Sequence, residues 1–405
     1  MTLLDRYATV LRGTGAASPL AASVVGRLPL GMTGLAVLLL TREATGSYAA
    51  AGAVSAAYAL AFAVVSPARA RTADRRGPVR IVLLMGALHP VALLALVLLA
   101  ASGADALPLA GAAVVAGATV PPLGAVMRAL WGRLVVGPAL ATAYALEAVV
   151  IELCFVGGPL LVALLAGLLG PSAAVLAAAV LTLGGTVWLV STPALRAVRP
   201  TGGPTHVLGP LTAPPVRGLL LSVGAIGAGF GSLEVALPAF VESTGGRPAT
   251  AGILLAVWAV GSVVGGLTYG ALHPQAPHSR QLPWLVGALA IGTGLPLIVG
   301  GPAAAGLLVM GGALFLYGLT IAPFSACNSV LLGGSAPPGT VTEAFAWNSS
   351  MMFGGAALGA ALAGALVEGS GVAPALAVTA GTGVAAYLLC LRAVRRLPVT
   401  AGQSA

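Results

Sequence analysis

The sequence predicts an all-α membrane protein, with twelve transmembrane helices in two pseudo-symmetric six-helix bundles. Three observations predict it. Of 405 residues, 58% are hydrophobic and 7% are charged, whereas soluble domains carry about 25% charged residues, so this composition cannot supply a water-facing surface. Apolar runs long enough to cross a hydrocarbon core recur along the whole chain. Two long segments of the first half match segments of the second half at nearly one offset. The runs are continuously apolar, as in membrane helices; a barrel strand would alternate in polarity along its length.

In chain order, the apolar runs place spans at 17–40, 48–66, 81–102, 107–130, 138–168, 172–195, 215–241, 247–271, 281–301, 303–333, 340–367 and 372–393. Short Gly/Pro-rich stretches such as 167–172 and 300–306 separate neighbours. The longest interruption, 196–218, is rich in proline and glycine and divides the spans six and six. The chain therefore reads as an N-terminal bundle (1–198), a cytoplasmic linker (199–214) and a C-terminal bundle (215–405). Arg6 and Arg12 ahead of an apolar stretch resemble a signal peptide, but with many spans following the segment reads as a retained first helix.

All 19 basic residues are arginine and the net charge is +9. With both termini inside, sixteen arginines fall on the cytoplasmic side, Arg69, Arg71, Arg75, Arg76, Arg80 and Arg128 among them, while Arg42 and Arg247 fall outside and Arg27 lies within a span. That asymmetry is the positive-inside pattern of a multi-pass protein of the inner (plasma) membrane. It accounts for the basic balance without a nucleic-acid partner, since the arginines do not cluster on one soluble face. Cys154, Cys327 and Cys390 lie in apolar runs without metal-ligand spacing and read as small buried hydrophobes.

The internal repeat is ungapped. Residues 46–71 pair with 246–271 at an offset of 200, matching Gly52/Gly252, Ala56/Ala256 and Ala59/Ala259 and setting Tyr58 opposite Trp258. Residues 111–146 pair with 312–347 at an offset of 201, matching Gly117/Gly318, Thr119/Thr320, Pro122/Pro323 and Gly132/Gly333. Parallel six-helix repeats place a substrate site at the interface between halves.

The stretch 70–80, ARTADRRGPVR, reads as the loop after span two. Its Asp74, Arg75, Gly77 and Arg80 resemble the loop signature of the major facilitator superfamily, with Ala70 where that family usually has glycine and Gly270 at the equivalent place in the second half. The resemblance extends over the chain in span count, repeat and orientation. It implies secondary transport by alternating access, and that Asp74 faces the start of span eleven as part of a gate with Arg71, Arg75, Gly77, Arg80 and Glu343. An aspartate can cap a helix start, where the macrodipole is positive. A loop that only sets topology needs the arginines but not the Asp–Gly spacing. Glu343, which follows Thr342 at the start of span eleven, also has a local reading as an acid on the helix dipole.

An ionisable residue at mid-membrane costs about 2.5–3.5 kcal/mol on insertion scales, so it pairs, faces a cavity or titrates. Arg27 lies ten residues into span one, about 15 Å deep at a helical rise of 1.5 Å. Glu147 and Glu152 lie in span five. Five residues turn a helix by about 140°, so the two acids cannot share a partner. The superfamily resemblance places spans one and five together, and the expected pair is Arg27–Glu152, with Glu152 the proton-coupling acid and Glu147 next in line. The alternative is a structural pair without titration. Gly157-Gly158-Pro159 partly resembles the Gly-Pro segment of proton-coupled exporters of that superfamily. Glu234 in span seven either lines the central cavity, where it meets a cationic group or a proton, or reaches headgroup water. Tyr317 and Asn328 in span ten are further substrate-binding candidates, with Arg27. His89 reads as locally satisfied, and His273 and His278 as solvated loop residues.

No metalloprotease, hydrolase-elbow or phosphate-loop motif is present. The expectation is no enzyme, no metal and no cofactor, with partners limited to a small-molecule substrate, protons and membrane lipid, and a monomeric state. The favoured function is proton-coupled efflux of a small amphipathic compound. Proton-coupled uptake or facilitated diffusion of a metabolite, and a non-transporting scaffold or receptor, remain alternatives.

Overall fold

The computed structural model describes residues 7, 10–11, 15–137, 139–200, 208–245, 248–272, 276–300 and 306–397. Arg6, Arg12, Arg247 and His273, together with 201–207 of the linker, lie outside the described residues. Among the described residues, twelve helical segments are long and apolar enough to cross a membrane. They form α1 (Ala17–Thr45), α2 (Tyr48–Arg76), α3 (Pro78–Ala101), α4 (Ala106–Thr119), α5 (Leu123–Leu134), α6 (Ala139–Leu169), α7 (Pro171–Ser191), α8 (Pro214–Ser243), α9 (Pro248–Leu272), α10 (His278–Val299), α11 (Leu307–Ser335), α12 (Val341–Ser370) and α13 (Val372–Val394). The fourth span consists of α4 and α5.

Two features depart from the sequence reading. The stretch 70–80 is not a loop. Helix α2 continues to Arg76, and α3 starts at Pro78. The turn between them is Gly77 alone, at φ +87°, a conformation that strains any residue with a side chain. The second departure is the break in span four at Val120-Pro121-Pro122. Each proline lacks an N–H, so the carbonyls four residues back, of Gly117 and Ala118, lose their helical partners. Arg69 of α2 supplies replacements. Its Nη1 donates to the Gly117 carbonyl at 2.9 Å and to the Ala118 carbonyl at 2.6 Å, and its Nη2 donates to the Phe62 carbonyl at 3.2 Å. The next free carbonyl, Ala116, receives His89 Nδ1 at 2.9 Å and Thr119 Oγ1 at 3.0 Å. A carbonyl only accepts, so His89 carries its proton on Nδ1. Arg69 is therefore buried structure rather than part of a basic surface.

The repeat is visible in the packing. Helix α2 crosses α4 where Gly117 meets the Tyr58 carbonyl, and α9 crosses α11 where Gly318 meets the Trp258 carbonyl. A Cβ at either glycine would collide with that backbone oxygen, which explains the small residue at both repeat positions.

The two halves meet through α2 against α12 and α6 against α9, with α5 and α11 adding contacts. The largest core runs through the second half and into the end of the first half that carries Leu20, Trp131 and Tyr144. The other end of the first half has its own core around Met32, Leu93, Leu109 and Val175. The halves are thus fused at the arginine-rich end and pack separately at the opposite end.

Removing the clamp strands the Ala118 carbonyl and leaves the Gly117 carbonyl with only the long Val120 N–H bond at 3.5 Å, in an apolar setting where a stranded carbonyl costs about 1–3 kcal/mol. Arg69→Ala is expected to lower unfolding stability in detergent by that order. Adding Pro121→Ala and Pro122→Ala returns both missing N–H donors and should recover most of the loss. Wild-type stability in the single variant would show that the clamp contributes nothing.

Candidate functional site

At the arginine-rich end, Asp74 of α2 reaches across the seam to the start of α12. Its carboxylate accepts the backbone N–H of Thr342 at 3.3 Å and of Glu343 at 2.9 Å. The residue in the N-cap position, Thr340, makes no side-chain cap of its own. Asp74 takes that role from the other half, where the first-turn donors and the dipole favour a carboxylate. One turn back on α2, Arg71 grips the Glu343 carboxylate with two parallel bonds, Nε at 2.9 Å and Nη2 at 2.6 Å. Trp347 Nε1 donates to the same carboxylate at 3.4 Å. Gly209, in a 3-10 turn of the linker, packs directly against it, so the linker touches this cluster as well. Arg75 and Arg80 are exposed on either side of Gly77. A cavity of about 350 Å³ borders this cluster, lined by Asp74, Leu130, Arg133, Tyr144, Arg199 and Thr342.

The seam continues inward. Tyr7 donates to the Leu267 carbonyl at 3.0 Å and Thr142 to the Gly270 carbonyl at 2.8 Å. The Tyr144 and Phe345 rings lie 5.8 Å apart. Ser350 donates to the Ala63 carbonyl at 2.6 Å, and Phe353 sits between the rings of Phe62 and Phe155. Farther from the gate, Ser262 of α9 donates to Glu152 Oε1 at 2.9 Å.

The expected Arg27–Glu152 pair does not form. Arg27 pairs with Glu147, and both side chains are buried. Gly31 of α1 sits against Cys154, Phe155 and Gly158 of α6, so Arg27 lies about a turn below Cys154. Helical side chains lean toward their own N-terminus, which carries the guanidinium down to Glu147. Glu152 points around the helix to α9. Arg27 Nε also donates to the Ser23 carbonyl at 3.2 Å, and Trp131 Nε1 donates to Glu147 Oε2 at 3.2 Å. Glu147 lies one turn from Tyr144, so the buried pair stands directly behind the Tyr144–Phe345 contact.

The remaining candidates disperse. Glu234 is exposed on α8, four residues from Phe230 and on the same helical face. Tyr317 is enclosed between Phe230 and Trp258 inside the second bundle. Asn328 donates to Asn348 Oδ1 at 3.0 Å, tying α11 to α12. His278 begins α10, and its carbonyl receives the Cys327 thiol at 3.4 Å. The three cysteines are free and buried. The sequence reading missed Arg69, Trp131 and Ser262. A proline pair in a span, which orphans two carbonyls, is the signal that could have led to Arg69.

The profile of the Major Facilitator Superfamily matches residues 20–328. The chain belongs to the major facilitator superfamily. No curated protein matches it in sequence. Among solved structures, a bacterial homologue of the iron transporter ferroportin in an outward-facing state is similar, with a TM-score of 0.79 at 15% identity over 93% of this chain and 98% of that one. The human organic anion transporter MFSD10 gives a TM-score of 0.73 at 17% identity, again over 93% and 98%. The E. coli fucose:proton symporter gives 0.71 at 11% identity over 96% and 100%. At these identities the likeness is one of fold, and it is the transporter fold of the superfamily.

Truncating one member of a buried ion pair costs about 3–5 kcal/mol, because the other charge is left alone. Arg27→Ala is expected to reduce the yield of folded protein strongly, and the double change Arg27→Ala/Glu147→Gln to restore part of it. Pairing Arg27→Ala with Glu152→Gln should bring no recovery. Membrane yield and detergent melting of the three variants check this, and additive losses for Arg27 and Glu147 would deny their coupling.

Proposed function

We propose that the protein exports a small amphipathic compound in exchange for protons, by alternating access in the inner (plasma) membrane with both termini cytoplasmic. The arginine-rich end is then the cytoplasmic side by the positive-inside pattern. The bonds between the halves cluster there, so in this reading the cytoplasmic side is the closed one. The observation that carries the reading is the Asp74 carboxylate bound across the seam to the start of α12. Opening to the cytoplasm requires that cap, the Arg71–Glu343 bonds and the Tyr144–Phe345 contact to separate together. Arg75, Gly77 and Arg80 complete the gating segment.

Glu152 is the proton site in this reading, since it is a partly exposed acid on the seam itself. As a carboxylate it is a strong acceptor for Ser262, and a proton weakens that bond. Proton uptake thereby loosens α6 from α9. Glu147, paired with Arg27 inside one half, holds its helices together through the cycle. Glu234, exposed on α8, is a second acid that can take up a proton. Tyr317 and Asn328, enclosed in this state, contribute to binding only where the second bundle rearranges.

In proteoliposomes, Asp74→Asn should insert normally and slow transport severely; normal rates at normal levels would reduce residues 70–80 to a topology signal. Glu152→Gln should carry substrate downhill without moving protons. Full coupling in that variant would place the proton site elsewhere, and flux of the wild type that ignores the proton gradient would replace antiport with facilitated diffusion. Glu234→Gln should lower the number of protons moved per substrate; an unchanged ratio would remove Glu234 from the proton path.

A further inference from the structure

Behind the gate, α1, α5 and α6 enclose a charge set that does not balance. Glu147 is the acid there, and Arg27 is its ion-pair partner. Arg128 of α5 is a second guanidinium within electrostatic reach of both Glu147 and Arg27. Among the described residues no carboxylate bonds to it. Gly124 and Arg128 are one turn apart on one face of α5, and a Cβ at Gly124 would lie 3.6 Å from Arg27 Nη1. The two guanidinium groups therefore approach the same patch. The bonds around Arg27 are also incomplete. Its Nε binds the Ser23 carbonyl and its Nη1 binds Glu147, while its Nη2 is buried without a partner. The Ser23 hydroxyl beside it is likewise buried and unpartnered. Trp131 and Tyr144 do not relieve the excess. Trp131 Nε1 donates to Glu147, and the Tyr144 hydroxyl is occupied by the Arg128 carbonyl.

Two positive charges against one negative, with idle donors on Arg27 and Ser23, call for an acceptor that carries negative charge. Among the described residues the protein supplies none to Arg27 Nη2 or the Ser23 hydroxyl. Arg128 is partly exposed whereas Arg27 is 2% exposed, so an incoming group meets Arg128 first and Arg27 beneath it. We infer that this wall docks an anionic group of the transported compound, a carboxylate or similar singly charged acid, on Arg27, Arg128 and Ser23. The inference rests on the transport reading above and extends it to a substrate class. A planar acid suits the forked donors of arginine. Its arrival neutralises the set one turn behind Tyr144, whose ring touches the gate residue Phe345. Substrate binding and gate release thus act on adjacent turns of α6.

The test uses purified full-length protein in detergent and three compounds of one shape: phenylpropionate, phenylpropylammonium and phenylpropanol. Melting temperature is followed against ligand concentration, with chloride titrated separately. Phenylpropionate should stabilise the protein, and the amine and alcohol should not. Arg128→Gln should weaken that response about tenfold or more, as expected for loss of a charge-assisted contact, while Arg128→Lys should keep part of it. Glu147→Gln, which removes the competing carboxylate, should strengthen the response, an effect of a sign that a merely structural role would not produce. Equal stabilisation by all three compounds, none by phenylpropionate, a full response in Arg128→Gln, or chloride acting as well as phenylpropionate would each overturn the inference. Flux in proteoliposomes is scored separately. Charge-selective binding without flux of any of the three would count against transport and leave the site standing, and flux without charge preference would do the reverse.

Discussion

A polar group inside a bilayer has no water to turn to, so every buried N–H, C=O and charge must find its partner within the chain. That requirement organises this molecule. It makes the spans helical, and it decides what happens wherever a helix departs from regularity. Where two prolines orphan the carbonyls of Gly117 and Ala118, Arg69 arrives with two N–H groups. Where α12 begins without its own cap, Asp74 arrives from the other half. Where Glu147 is buried, Arg27 and Trp131 meet it. The exceptions stand out because the rule is so widely obeyed, and the idle donors of Arg27 and Ser23 are among them.

The same requirement sorts the interactions into those that can break and those that cannot. Separating the Arg27–Glu147 pair would expose two charges to hydrocarbon, and the pair lies within one half, so a rigid half preserves it. The bonds between the halves at the arginine-rich end are instead helix-end contacts, where water can replace each partner. Ordinary hydrogen bonds contribute about 0.5–1.5 kcal/mol net, somewhat more when charged. A handful of them sums to the few kcal/mol by which two conformations of a switching protein differ. A seam made of Asp74, Arg71–Glu343 and Glu152–Ser262 is therefore firm enough to hold one arrangement and weak enough to be broken without unfolding either half.

The two halves keep a common skeleton and differ where polarity of action is needed. Both retain the glycine at the crossing of their second and fourth spans, because a backbone oxygen occupies the space a side chain would need. The first half has Pro121-Pro122 and a broken span, and the second has Ala322-Pro323 and the continuous helix α11. At the position equivalent to Arg69 stands Tyr269, which binds Gln281 at 2.8 Å instead. Asp74 has no acidic counterpart in the second half. One half supplies the cap and the other the helix start, which gives the seam a direction that perfect symmetry would lack.

Composition and periodicity were sufficient for the fold class, because hydrocarbon admits few architectures and twelve apolar runs with an internal repeat select one of them. The Asp–Gly spacing likewise marked the segment whose carboxylate reaches the start of α12, since that geometry is local to one helix end. The partner of Arg27 was not legible. Depth along the spans placed Glu152 nearest, but pairing depends on where α1 and α6 touch and on the lean of a side chain. The close approach of Gly31 to Gly158 sets the register between the two helices and hands Arg27 to Glu147. The role of Arg69 was hidden for a similar reason. In the chain it is one more arginine near a basic stretch, and only the crossing of α2 over the broken span reveals that it is inside. Local rules act through sequence neighbours and can be read there. The balance of charge around Glu147 is a sum over three helices, and only their packing decides it.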